Sequence, residues 1–138
     1  TLQALTEFEG KSFYDMYAGS GIMGLEALSR GFSSLTATEK NPKVASILKR
    51  NYENFKTRRR INFILGDGIK TAARLKEKFN VIYIDPPYYS GVYESSLEAV
   101  KGKGEIIILE HVVDLNFDGF EVLKQKKYGK KVITFLKQ

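Results

Sequence analysis

A chain of 138 residues, 43% of them hydrophobic, suits one domain with one core, while the absence of cysteine and the single histidine exclude disulfides and thiolate metal sites and disfavour a zinc centre. No apolar run approaches the roughly 20 residues that cross a bilayer, and the opening TLQALTEFEG lacks the basic-then-apolar pattern of a signal peptide, so a soluble protein in a reducing cytosol is expected. The formal net charge is +6, and near the C-terminus Lys124, Lys126, Lys127, Lys130, Lys131 and Lys137 face only Glu121, a balance that fits either a polyanionic partner or a plainly solvated surface.

Apolar runs alternate along the chain with segments of helical period, which is the pattern of βα units on a parallel sheet. SFYDMY (12–17) reads as a first strand and GIMGLEALSRG (21–31) as a helix with Ile22, Leu25 and Leu28 on one face and Gly31 as its terminator. LTATE (35–39) reads as a second strand. Asn41 then caps a helix with Pro42 at its first position, and Val44, Ile47, Leu48 and Phe55 form the expected buried stripe. INFIL (61–65) is a third strand, followed by a helix from about Ile69 to Phe79. VIYI (81–84) is a fourth strand, a looser helical piece covers Tyr93 to Val100, and EIIIL (105–109) is a fifth. FEVLKQKKYGKKVITFL (120–136) reads as an antiparallel hairpin around Tyr128-Gly129-Lys130. The expected architecture is a single α/β domain over 1–138, doubly wound, with a mostly parallel sheet that the hairpin closes. In such sheets a ligand sits outside the carboxyl ends of the strands.

Those ends carry the chemistry. After the first strand, Gly19, Gly21 and Gly24 match G-x-G-x-x-G, a turn that lets backbone approach a ligand beside a helix N-terminus; alone it is a weak signal. Glu39 ends the second strand twenty residues on, where its carboxylate could accept from two ribose hydroxyls. GDG (66–68) places Asp67 after the third strand, and Asp85-Pro86-Pro87-Tyr88 follows the fourth. Each acid also has a local reading: Asp15 as a turn cap, Glu39 as a partner for a lysine, Asp67 as the cap of the next helix. Parallel strands bring all four ends to one edge, and that convergence favours a shared site.

A base's exocyclic amine has its lone pair delocalised into the ring and is a poor nucleophile. The Asp85 carboxylate and Pro86 carbonyl can accept its two hydrogens and aim the lone pair at an electrophile. The prolines fix φ and add no competing donor, and Tyr88 can stack on the base, a contact worth about 1–3 kcal/mol.

FYDMYAGSGIMGLEALSRG, EKN, GDG and DPPYYSGVY, in this order, resemble the S-adenosylmethionine-dependent amino-methyltransferases, and specifically the RsmD family of 16S ribosomal RNA guanine-N2 methyltransferases. AGSGIMGLEALSRG and the KKYGK hairpin are the most family-specific stretches, and the resemblance spans nearly the whole chain. It implies a Rossmann-like class I methyltransferase fold with a seven-stranded sheet, S-adenosyl-L-methionine as cofactor, and 16S rRNA or a 30S assembly intermediate as partner of a cytoplasmic, monomeric enzyme that touches no membrane. It further implies that Asp15 and the Gly19-Ser20-Gly21 turn hold the methionine part, Glu39 the ribose, and Asp67 with the Gly68 backbone the adenine. Tyr17, Ala18 and Lys40 belong to the same cofactor-binding set. Asp85, Pro86, Pro87 and Tyr88 would present the guanine amine, with no metal required.

DPPY is shared with adenine-N6 enzymes, which keeps that activity as the nearest alternative; a dinucleotide-dependent oxidoreductase on the same glycine turn is more remote. Members of the family usually carry a basic N-terminal segment ahead of the point where this sequence starts, and Thr in place of Met at position 1 raises the expectation of a longer chain. Lys56, Arg58, Arg59 and Arg60 form a second basic cluster that could meet phosphates or simply be solvated. Tyr89 and Tyr93 are candidates for the base pocket, Tyr93 equally as an anchor for its helix. His111 is read as structural.

Overall fold

The computed structural model of the chain describes residues 8–55, 57–87 and 91–138. Its strands are β1 (Ser12–Asp15), β2 (Ser34–Glu39), β3 (Arg60–Leu65), β4 (Phe79–Ile84), β5 (Gly104–His111), β6 (Glu121–Tyr128) and β7 (Lys131–Lys137). Between them lie α1 (Ile22–Ser29), α2 (Pro42–Asn54), α3 (Gly68–Arg74) and α4 (Val92–Ala99). The sheet order is β3-β2-β1-β4-β5-β7-β6. β1 to β5 run parallel, and β7 is antiparallel to both of its neighbours. The hairpin therefore inserts its second strand beside β5 and leaves β6 at the edge. Strand order reverses between β1 and β4, so the loops leaving those two strands diverge and open a crevice at their carboxyl ends.

Each face of the sheet has its own core. α3 and α4 cover one, where Tyr14, Met16, Ile82, Ile84, Ile107, Leu109 and Leu136 are buried. α1 and α2 cover the other, over Phe13, Leu35, Ala37, Leu48 and Tyr83. Side chains of this size contribute about 1.5–3 kcal/mol each on full burial. Some buried polar groups pair between strands: the Tyr14 hydroxyl and Thr38 Oγ1 lie 2.8 Å apart, bridging β1 and β2. His111 sits 2.7 Å from both the Val113 carbonyl and Thr134 Oγ1. A carbonyl only accepts, so Nδ1 carries a proton and donates to Val113, while Nε2 is bonded to the Thr134 hydroxyl. Tyr93 and Phe117 meet the same ring edge-on, which makes His111 a structural joint, as expected from sequence.

Several boundaries differ from the sequence reading. β1 stops at Asp15 because Met16 and Tyr17 turn into the crevice. α1 is shorter than 21–31, and Ile22, expected on its buried face, is 68% exposed; Leu28 is buried as expected, and Gly24 and Ala27 face inward with it. On α2 the buried residues are Ala45, Leu48 and Tyr52, while Ile47 is 51% exposed. α3 ends at Arg74 rather than Phe79, because Phe79 pairs with Gly104, and Asn80 Oδ1 accepts from the Ser12 amide at 2.9 Å, pinning the start of β4 against β1. Lys56 lies outside the described residues. Of its neighbours, Arg59 donates to the Leu28 and Phe32 carbonyls and so ties off the end of α1. The cluster opens β3, at the opposite end of the sheet from the crevice.

Candidate functional site

The chain leaves β1 through a tight sequence of backbone contacts. The Met16 amide donates to Tyr83 O of β4 at 3.1 Å, and the Ala18 amide to Thr38 O of β2 at 2.9 Å, so the glycine turn that follows is suspended between two strand ends. Gly21 caps α1 at φ 85°, and a Cβ there would stand 2.6 Å from the Tyr52 ring. Both observations require glycine. Gly21 brings no capping side chain, so the first amides of α1 stay open to a ligand. Ser20 is held by its carbonyl, which accepts from Asn51 Nδ2 at 2.8 Å.

Glu39 organises the next wall. One carboxylate oxygen accepts from the Gly19 amide and the other from the Asn41 amide, both at 2.9 Å, which fastens the glycine turn to the loop between β2 and α2. No ion pair to a lysine is formed by it among the described residues. An ionised carboxylate has about four acceptor positions, and these two bonds leave capacity for a diol. Asn41 caps α2, accepting from the amides of Lys43 and Val44. Asp67 likewise caps α3 through Oδ2, which accepts from the Lys70 amide at 2.8 Å, so the local reading of that residue is what the structure displays. Gly68 is closely packed: a Cβ would lie 2.9 Å from Met16 O and 3.1 Å from the Tyr17 ring. That ring is fixed in turn by its hydroxyl, 2.7 Å from Ser96 Oγ on α4.

These pieces enclose a cleft of about 310 Å³ lined by Tyr17, Gly19, Glu39, Lys40, Asp67, Gly68, Asp85 and Pro87, together with Met16, Thr38, Asn41 and Gly66. It brings the ends of β1, β2, β3 and β4 around one space. Ala18, Pro86 and Asp15 are buried behind it, and Tyr88 and Tyr89 lie outside the described residues. Tyr93 is buried in the α4 core, and its hydroxyl accepts from the Val112 amide at 3.3 Å, the anchoring reading of the two. A second cleft, about 380 Å³, lies between α1 and the β4–β5–β7 surface, lined largely by apolar groups such as Phe13, Ile108 and Phe135. Its carboxylates, Glu26 and Glu105, stand apart from Gly19, Glu39 and Asp85, which meet in the smaller cleft and make that the candidate site.

Asp15 is 1% exposed, and among the described residues neither of its oxygens has a partner within good hydrogen-bonding geometry. Burial pushes its carboxyl up to about 7, with the Asp85 charge the next cause; the Tyr17 amide opposes it, and Glu39 and Glu110 add to it. A buried acid with two unsatisfied oxygens under a glycine turn is a place where a cation would be welcome.

Two residues not singled out as site residues from sequence, Lys131 and Glu110, stand beside Asp85. Lys131, at the start of β7, places Nζ 3.0 Å from Glu110 Oε1 and 3.5 Å from Asp85 Oδ1. Because β7 runs antiparallel, its first residue arrives at the same edge as the last residues of β4 and β5. The ammonium thus offsets two neighbouring carboxylates and ties Asp85 by one oxygen. Only the register shows this; in sequence Lys131 is one of a run of lysines.

The parallel sheet in the order 3-2-1-4-5-7-6, with an antiparallel seventh strand and a cleft at the switch point, is the architecture of the class I methyltransferases. The Haemophilus influenzae protein HI0767 superposes on 99% of this chain and 84% of its own, with a TM-score of 0.86 and 22% identity. The chain belongs to the family described as Conserved hypothetical protein 95, the RsmD methyltransferase family, whose model matches residues 1–137. YlbH of Bacillus subtilis is 28% identical over 123 residues, covering 87% of this chain and 62% of that protein. Ribosomal RNA small subunit methyltransferase D of Escherichia coli is 29% identical over 90 residues, covering 65% of this chain and 45% of the enzyme. The chain therefore spans about half to three-fifths of the length of these relatives.

Proposed function

We propose that this chain carries the catalytic site of an S-adenosyl-L-methionine-dependent methyltransferase acting on the exocyclic N2 amine of a guanine in 16S rRNA, in the cytoplasm. The observation that carries the reading is the single cleft with Gly19 and Glu39 on one wall and Asp85 and Pro87 on the other. The residues fit the cofactor. The unpartnered Asp15 oxygens suit its cationic methionine portion, Glu39 retains acceptor capacity for the ribose, and Asp67 Oδ1 with the closely packed Gly68 backbone can serve the adenine. Tyr17, Ala18, Ser20, Gly21 and Lys40 shape or border the same space.

When bound, S-adenosylmethionine supplies a methyl group on positively charged sulfur. The chain's own residues prepare the acceptor. Asp85, tied at Oδ1 by Lys131, and the Pro86 carbonyl accept the two amine hydrogens, which holds the nitrogen as it becomes tetrahedral and directs its lone pair across the cleft. Pro86 and Pro87 keep that carbonyl in place, and Tyr88 would cover the base. The related D enzymes are named for small-subunit ribosomal RNA, which favours that substrate over DNA.

The test incubates 16S rRNA and 30S particles with labelled cofactor and digests the product to nucleosides. N2-methylguanosine is expected, and N6-methyladenosine in its place would refute the substrate assignment. Asp85→Ala should lower methyl transfer at least about a hundredfold while leaving binding of S-adenosylhomocysteine intact. Equal turnover by variant and parent would remove Asp85 from the amine-holding role.

A further inference from the structure

The β6–β7 hairpin is the part of the molecule that the site does not absorb. Every residue of β6 is exposed, although the strand is paired to β7 along one side, with a register shift between Val122 and Lys124. Residues directly opposite in an antiparallel pair share a face, and residues two apart share it again. Lys124 lies opposite Phe135, Lys126 opposite Ile133 and Tyr128 opposite Lys131. Phe135 lines the apolar cleft beside α1, which fixes this as the α1 side of the sheet. On the other side, Gln125 Nε2 donates to Thr134 Oγ1 at 3.0 Å, confirming the alternation. Among the described residues α1 and α2 pack over β1, β2 and β3, so the β6 end of this face is left uncovered.

One surface thus carries Lys124 and Lys126, about 6.8 Å apart along the strand, then Tyr128, 58% exposed, and then Lys131, whose ammonium touches Asp85. Positive charge and an aromatic ring lead in a line to the acceptor end of the crevice.

We propose that this face of the hairpin is the track on which single-stranded RNA approaches the site, its phosphates on Lys124 and Lys126 and a base adjacent to the methylated one stacked on Tyr128. The inference rests on the methyltransferase reading for the kind of polyanion involved. Spaced cations beside a stacking platform form the combination that binds single strands without reading sequence. Continuity with Asp85 favours nucleic acid over an anionic membrane, which has no use for an amine-holding carboxylate at the end of the track.

The full chain would be measured for binding to a mixed-sequence single-stranded RNA 20-mer across a salt series, beside vesicles containing an anionic phospholipid. Lys124→Glu/Lys126→Glu should weaken RNA binding about tenfold or more at 0.1 M salt and flatten the log–log salt dependence by about 1.4, the share of two phosphate contacts on a single strand. Lys76→Glu/Lys78→Glu, an equal charge change at the far end of the sheet, should leave both within about twofold. Tyr128→Ala should cost about tenfold and Tyr128→Phe much less. The proposal is overturned if the hairpin reversal behaves like the control pair, or if its effect appears on vesicles and not on RNA. Should the parent bind RNA in this way yet transfer no methyl group, the enzymatic reading falls and the track stands. Should methylation proceed with the RNA KM unmoved by the reversal, the track alone falls.

Discussion

Asp15→Asn tests the electrostatics of the cleft without any need for substrate. Asp15 titrates at about 7 in the folded protein, against 3.8 for the ordinary side chain, because burial and the Asp85 charge disfavour its anion. Between those two values the folded chain holds a proton that the unfolded chain has released, so stability is greatest below about pH 4 and is lost as pH rises toward 7. From pH 5 to pH 8 the group titrates over about two units, which removes roughly 3 kcal/mol from the parent. Asparagine has nearly the same shape and no charge to lose. Whatever it costs by leaving buried amide atoms unpaired is the same at both pH values. Urea unfolding of both proteins at pH 5 and pH 8 therefore isolates the acid. The parent should lose roughly 3 kcal/mol more than the variant over that interval. Parallel behaviour, with a difference below about 1 kcal/mol, would refute the account of Asp15 as an acid strained by its burial.

Glu39→Ala deprives the Gly19 and Asn41 amides of their acceptors, and affinity for S-adenosylhomocysteine by calorimetry should fall about 10- to 100-fold, with Glu39→Gln intermediate because its single amide oxygen can still take one amide. Unchanged affinity in the alanine variant would mean that the glycine turn holds its shape without this tie. Lys131→Met should lower kcat about tenfold while S-adenosylhomocysteine affinity stays level, and Lys131→Arg should recover most of the loss. A fall in affinity equal to the fall in kcat, or no recovery by arginine, would count against a role in placing Asp85.

The strands and their edge were legible because the apolar runs are short, β-branched and separated by helical period, which leaves few ways to order them. The carboxyl ends follow at once, and with them the meeting of Gly19, Glu39, Asp67 and Asp85 around one cleft. What hydrophobicity misjudged was which residue of a helix faces in. Ile47 outranks Ala45 on any scale, yet the Ala45–Leu48–Tyr52 face is the one aimed at the sheet, because Tyr52 must reach the space that Gly21 and Gly24 leave open. Good helix formers from Ala72 to Lys78 favour a helix that runs on to Phe79, whereas the pairing of Phe79 with Gly104 depends on a residue 25 positions away. Lys131 was hidden for the same reason: it meets Asp85 across 46 residues of sequence, through a register that no local pattern encodes.

The exposed outer rim of β6 has a consequence for the molecule's solution behaviour. An unpaired strand edge is a template on which a second copy can add its own strand, and cells meet that hazard with lysine. Lys124, Lys126 and Lys127 repel an identical rim, so the side chains that would receive a nucleic acid also keep neighbouring copies from zipping together. Reversing their sign preserves the repulsion between copies, whereas erasing it with alanine would invite fibrous self-association.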